Sequence, residues 1–288
     1  MRNYFRFNFL TALVALFVVF SFASCEEDVD KPDGGGGSTP TEEANTVTGT
    51  VRNSQGQPMA GVKVRADNPN GNNMHMEATT DVNGRYKLKL TSIGGWKIYA
   101  WKEVQYMDKT YQLRLAMKNA SDYDAFATEG KSLVRDFVWQ LNGRIPDRPA
   151  SADYGMGYFG GSVYFVNLNA IGYVPIPEGT KVTVKLTPVE GATYLDGTPA
   201  TATVTKSFTI TDGNPNYYIG DIKVTNYRMD IESELNGEKQ MVYMSHRTSL
   251  GPFRPWLSFY FDPVTLSVGS YESGIKTGID TPFYLAQE

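Results

Sequence analysis

Cys25 is the only thiol in the chain, and its chemistry is the best specified of any side chain. A lone cysteine can form no intramolecular disulfide, and exported chains favour paired cysteines or none. Other reactive groups are sparse. His75 and His246 are the only two histidines and lie far apart in sequence, so they make no clustered zinc-ligand set. No G-x-S-x-G elbow occurs to present a serine to either of them. Gly34 to Gly37 form a run with no strand before it and no helix after it, which is linker and not a phosphate loop. Two carboxylates alone can run a hydrolysis, but any chain with 31 acids contains such pairs. Asp122, Asp124 and Glu129 are close in sequence without the glycine placement of a calcium loop. The expectation is no catalytic residue, no metal and no cofactor.

Aromatic side chains offer a different chemistry, stacking on flat ligand faces. The chain has 18 tyrosines, more than a plain core needs. Trp96, Tyr99, Trp101 and Tyr106 cluster on one segment. At period two, Trp96 and Ile98 share one face while Tyr99 and Trp101 share the other, so at least one of these faces is core. Tyr154, Tyr158 and Phe159 sit in the glycine-rich stretch YGMGYFGG, and Phe253 and Trp256 flank an Arg-Pro pair. Loops carry contacts more often than strands do. Tyr154, Tyr158, Phe159 and Trp256 are therefore the candidate ligand-binding aromatics.

The elements that would hold these groups begin with the amino terminus. Arg2 and Arg6 precede an apolar run from Leu10 to Phe20, and Ser21-Phe22-Ala23-Ser24 lead to Cys25. That order is a signal peptide, too short for a permanent membrane span. The small residues before Cys25 resemble the lipobox of bacterial lipoproteins, with Phe22 standing where that family has an aliphatic residue. The resemblance implies cleavage before Cys25, diacylglycerol on its thiol and an acylated new amino terminus, so that lipid holds the protein to a membrane. Two or more acyl chains anchor firmly at about 0.8 kcal/mol per buried methylene. Glu26, Glu27 and Asp28 resemble the acidic signal that some Gram-negative bacteria use to send lipoproteins to the outer face of the outer membrane. Without Arg2 and Arg6 the chain carries 25 basic residues against 31 acidic ones, a poor charge balance for nucleic acid.

Residues 26–45, EEDVDKPDGGGGSTPTEEAN, show no apolar period and read as a flexible tether. From Thr46 onward the texture is strands and turns. Val62, Val64 and Ala66 alternate, Asn83-Gly84 supplies a tight turn, and Tyr86, Leu88 and Leu90 alternate again. The stretch VTGTVRNSQGQPMAGVKVRADN…TTDVNGRYKLKL…GGWKIYAW is similar to the carboxypeptidase regulatory-like family, a small transthyretin-like β-sandwich. The matching residues are Gly49, Val51, Gly56, Pro58, Gly61, Val62, Val64, Thr80, Asp81, Gly84 and Tyr86. They serve turns and core, and the resemblance implies a module without catalytic residues. Met107-Asp108-Lys109 suits a hairpin turn, and 133–141 reads as one strand. The proline-rich 143–154 reads as a linker. Further strands are expected at 163–166, 181–186, 202–210, 220–224, 241–244 and 256–261.

The expected fold class is all-β, with two β-sandwich domains after a signal peptide (1–24) and a lipidated tether (25–45). The first sandwich spans 46–142 and the second 155–288. The expected role is a non-catalytic surface binding or structural module, anchored to the outer membrane through Cys25 and contacting a glycan or protein. The alternatives are an accessory enzyme of polysaccharide use and a periplasm-facing assembly component that binds by strand addition.

Overall fold

A computed structural model describes residues 43–71, 73–148, 157–169, 172–246, 252–263 and 282–287. The expected signal peptide (1–24), Cys25, nearly all of the expected tether (25–45) and Tyr154 lie outside the described residues. The described residues form eighteen strands and one 3-10 turn at Ala120–Tyr123, with no α-helix among them.

The first nine strands are β1 (Thr46–Arg52), β2 (Lys63–Asp67), β3 (His75–Thr79), β4 (Arg85–Lys89), β5 (Lys97–Tyr106), β6 (Lys109–Arg114), β7 (Ala116–Met117), β8 (Ser132–Val134) and β9 (Phe137–Val138). They build two sheets. One runs β4-β1-β9-β7 with β8 also on β1, and the other runs β3-β2-β5-β6. Period-two patterning decides what faces inward: Tyr86 and Leu88 of β4 are buried while Arg85, Lys87 and Lys89 are exposed. Val47, Val51, Val64, Leu88, Trp96, Ile98 and Phe137 join one core between the sheets.

The family-like residues have structural work. A Cβ on Gly49 would sit 1.8 Å from the Arg135 carbonyl oxygen, so only glycine lets that backbone approach. Gly84 turns at φ +69, and a Cβ there would meet the Val51 carbonyl at 2.5 Å. The Asp81 carboxylate accepts from the backbone N–H of Asn83 at 2.9 Å and of Arg85 at 2.8 Å, which closes the hairpin. Buried Thr80 donates its hydroxyl to the Met59 carbonyl at 2.7 Å and accepts from Val62 N–H at 2.9 Å. The Tyr86 hydroxyl donates to the Arg135 carbonyl at 2.6 Å.

The single strand expected over 133–141 is instead two short strands, β8 and β9, each parallel to β1. Between them Asp136 turns its carboxylate to β1 and accepts from Thr50 N–H at 2.8 Å and Thr50 Oγ1 at 2.9 Å. The side chain replaces a ladder carbonyl, so the strand breaks where it enters.

The second set comprises β10 (Gly161–Asn167), β11 (Lys181–Pro188), β12 (Val204–Thr209), β13 (Asn216–Ile222), β14 (Asn226–Leu235), β15 (Glu238–Gln240), β16 (Tyr243–His246), β17 (Trp256–Tyr260) and β18 (Phe283–Ala286). Its sheets run β13-β10-β18-β16 and β12-β11-β14-β15, with β17 also on β14. Phe165, Val182, Val184, Leu186, Tyr227, Met229 and Leu285 fill a second core between them. The chain is thus an all-β protein of two sandwiches.

The sandwiches share side chains. The β5–β6 hairpin turns at Met107 (φ 48) and Asp108 (φ 59), the positive pair a two-residue hairpin requires. Its outer half carries Val104, Tyr106, Tyr111 and Leu113 into the second core. The Tyr111 hydroxyl donates to the Phe261 carbonyl at 2.5 Å, and the Tyr106 hydroxyl to the Thr193 carbonyl at 2.6 Å. Ser54 donates to Asp196 at 2.7 Å. Trp139 packs against both cores. Residues 42–288 accordingly form one compact unit.

Residues 143–148 run along the first sandwich. Ile145 is fully buried in its core. The Asp147 carboxylate takes two hydrogen bonds, at 2.8 and 2.9 Å, from the buried guanidinium of Arg114.

Candidate functional site

Of the acids in the 122–129 stretch, Asp122 is structural and Glu129 is exposed. Asp122 is buried, lies 3.3 Å from the Arg135 guanidinium and accepts from the Asn119 amide at 3.1 Å. Its charge is satisfied by the protein. Among the described residues no three His, Cys, Asp or Glu side chains gather as a metal site. His75 starts β3 in the first sandwich and His246 ends β16 in the second. No described group combines a nucleophile with a base.

The aromatics divide sharply. Trp96, Tyr99 and Trp101 are all buried, so both faces of β5 are covered and not only one. The outward side is covered in part by Arg114, whose guanidinium lies 5.1 Å from the Tyr99 ring. Phe159 does not act as a loop aromatic: it is 1 % exposed and packs in the first core. Its N–H donates to the Gly143 carbonyl at 3.0 Å, and this pairing carries the chain back onto the first sandwich and drives the ring inward. Tyr158 is half-buried, with the Arg144 guanidinium 5.1 Å from its ring. Phe253 stacks on Tyr173 at 4.3 Å. Trp256 remains open at 40 % exposure, and Tyr260, which the sequence reading did not single out, at 45 %.

Trp256 and Tyr260 share one strand and one face. In β17, Phe259 points into the core and Leu257 packs against it, while Trp256, Ser258 and Tyr260 point out. A rise of about 3.4 Å per residue sets the two positions about 14 Å apart along the strand. Pairing with β14 puts Asp230 opposite Trp256, Arg228 opposite Ser258 and Asn226 opposite Tyr260. Each ring has a cation beside it. The Arg228 guanidinium lies 4.4 Å from the Trp256 ring, and two hydrogen bonds to Asp230, at 3.0 and 2.8 Å, set its orientation. The Lys109 ammonium lies 4.4 Å from the Tyr260 ring and pairs with Asp262. The hydrogen bond to that carboxylate holds the ammonium above its ordinary range, against the opposing effect of burial. Asp230 likewise raises Arg228. Both cations therefore stay charged across the physiological range. Lys109 belongs to the first sandwich, so both sandwiches build this face.

The face offers two exposed rings, a guanidinium, an ammonium, two carboxylates and an amide on a rigid strand. It can stack on apolar ligand faces and hydrogen-bond their edges.

Comparison with known proteins agrees on the first sandwich. Residues 46–127 match the carboxypeptidase regulatory-like domain family. In this chain that region supplies strands, turns and core. No curated protein matches the sequence. Among solved structures, a streptococcal ancillary pilin is 13 % identical over 83 % of this chain and 63 % of the pilin, at a TM-score of 0.26. The Bacillus anthracis TIE protein is 9 % identical over 84 % of this chain and 34 % of its own, at 0.28. A DUF3823 family protein from Bacteroides uniformis is 8 % identical over 75 % and 99 %, at 0.20. The chain thus spans under two thirds of the first two, and TM-scores this low support no conclusion about role.

Proposed function

We propose that this protein is a lipid-anchored module of the outer-membrane surface that binds glycans without catalysis, through the outward face of β17. Two rings on one face of an edge strand, each about two fifths exposed and each braced by a cation, carry this reading. Large aromatics are costly to leave open to water, and rings held in one rotamer bind at low entropic cost. Sugar rings present apolar faces to stack and hydroxyls at their edges to reach Asp230, Asn226 and Arg228. Acylated Cys25 would hold the chain to the membrane and the tether would give reach. The match of residues 46–127 to a family of non-catalytic modules is compatible with this role.

A glycan array probed with the whole protein tests the reading. Trp256→Ala should weaken any signal about 30-fold, the cost of about 2 kcal/mol for a central aromatic contact. Tyr260→Ala should weaken it as well. A protein that binds no glycan, or binds equally well without both rings, refutes it. Metabolic labelling with a fatty acid analogue, lost in Cys25→Ser, and protease shaving of intact cells test the anchor and its exposure.

A further inference from the structure

A cleft of about 640 Å³ lies at the junction of the two sandwiches. Arg52 and Trp139 reach it from the first sandwich, Gln140 and Asn142 from the segment that leaves it, and Asp196 and Lys223 from the second. Pockets for ordinary small molecules are lined mainly by apolar side chains. Here the amides and charges share the walls with the apolar surface of Val138, Trp139 and Leu141, so a fitting ligand combines hydroxyl groups with an apolar ring face.

The charges say more. Asp196 is already fully used: one oxygen accepts from Thr198 N–H at 3.0 Å and Thr198 Oγ1 at 2.6 Å. The other accepts from Ser54 at 2.7 Å and Gln55 at 3.4 Å. Burial opposes its ionisation, but these hydrogen bonds prevail and hold its pKa low. The cations are not so engaged. Arg52 donates one hydrogen bond, to the Gly56 carbonyl at 2.8 Å, and Lys223 stands 5.2 Å from the Tyr194 ring. Neither meets a carboxylate among the described residues. Two cations against one satisfied acid leave a positive balance in a chain that is acidic as a whole. A guanidinium and an ammonium are the groups that take up carboxylates.

We infer that the junction cleft binds an acidic oligosaccharide, with the uronate carboxylate on Arg52 and Lys223 and the hydroxyls on Gln140 and Asn142. The ligand would touch both sandwiches at once. The inference is independent of the β17 face, which shares no residue with the cleft.

The test is a titration of the ¹⁵N-labelled protein with a galacturonate trimer, with the neutral galactose trimer as control. The chain has four tryptophans, and Trp139→Phe identifies the Trp139 indole resonance by its loss. That N–H is buried and has no hydrogen-bond partner, so it makes a reporter shielded from solvent. The expected result is a saturable shift with the uronate and none with the neutral trimer. Lys223→Ala should weaken the response about tenfold or more, as should raised salt. Gln140 is exposed, so Gln140→Ala should fold normally and bind less tightly. Trp256→Ala should leave the response intact. No shift at millimolar uronate, an equal shift with the neutral trimer, or loss of the shift in Trp256→Ala overturns the inference.

Discussion

Asp147→Ala should be among the most damaging single changes in the protein, although it lies in a stretch that reads as a linker. Arg114 is 3 % exposed, and its guanidinium takes both oxygens of Asp147 at 2.8 and 2.9 Å. Removing the acid takes from a buried cation the carboxylate that holds it through two hydrogen bonds, and breaking a buried ion pair costs about 3–5 kcal/mol. Asp147 is itself 11 % exposed, so water can reach part of the vacated site and the lower end applies. The rings of Tyr99 and Tyr123, at 5.1 and 5.8 Å from the guanidinium, stay in place and their attraction is unchanged. About 3 kcal/mol corresponds to a fall of about 6–12 °C in Tm for a unit of this size. Calorimetry gives the shift, and urea titration with unchanged m gives the free energy. The double variant Arg114→Met with Asp147→Leu should recover most of the loss, because an apolar pair of similar volume replaces the ion pair. Hydrogen exchange should speed up at Ile145, whose N–H donates to the Gly157 carbonyl at 2.8 Å. A loss under about 1 kcal/mol, or a double variant no better than the single, would refute the reasoning.

Two further outcomes follow from the fold. Gly49→Ala puts a Cβ 1.8 Å from the Arg135 carbonyl and should break the parallel contact of β1 with β8; a soluble variant of wild-type Tm would contradict this. Tyr86, Tyr111 and Tyr227 all have hydroxyl pKa values raised, chiefly by burial. A raised folded value adds stability that is complete below the unfolded value near 10 and is lost as pH climbs beyond it. Tyrosinate absorbance should show these phenols ionising only as the protein unfolds, with Tyr111→Phe moving that transition to higher pH.

Much of the first sandwich is legible in the sequence, because its signals are local. Gly84 and Asp108 tolerate the positive φ their turns need, and β4 alternates without interruption. The breaks come where a distant group decides. Residues 133–141 alternate well enough for one strand, yet Asp136 finds Thr50, 86 positions away, and splits it. Phe159 has loop neighbours on both sides but is pulled into a core made by earlier strands. Strand β14 was not anticipated, although Tyr227, Met229 and Ile231 alternate with Arg228, Asp230 and Glu232. The charged partners dilute the apolar signal because that sheet has one wet face. The candidate site was half legible. Trp256 stood out, and the same period that places it outward places Tyr260 beside it. The cations that brace the two rings come from β14 and from the β5–β6 turn, and only the folded pairing brings them there.

Strand β1 has a mechanical consequence. It starts at Thr46, just after the tether, and ends at Arg52, which lines the junction with the second sandwich. If a lipid on Cys25 held the chain while a ligand pulled on the second sandwich, load would enter β1 at Thr46 and pass sideways into its neighbours. β1 is flanked by antiparallel β4 and by parallel β8 and β9. Its cross-strand hydrogen bonds lie across the pull and would have to rupture together, because a load along the strand cannot peel them one by one. The first sandwich would then be a shear clamp in the line of force, able to keep hold of a surface that moves.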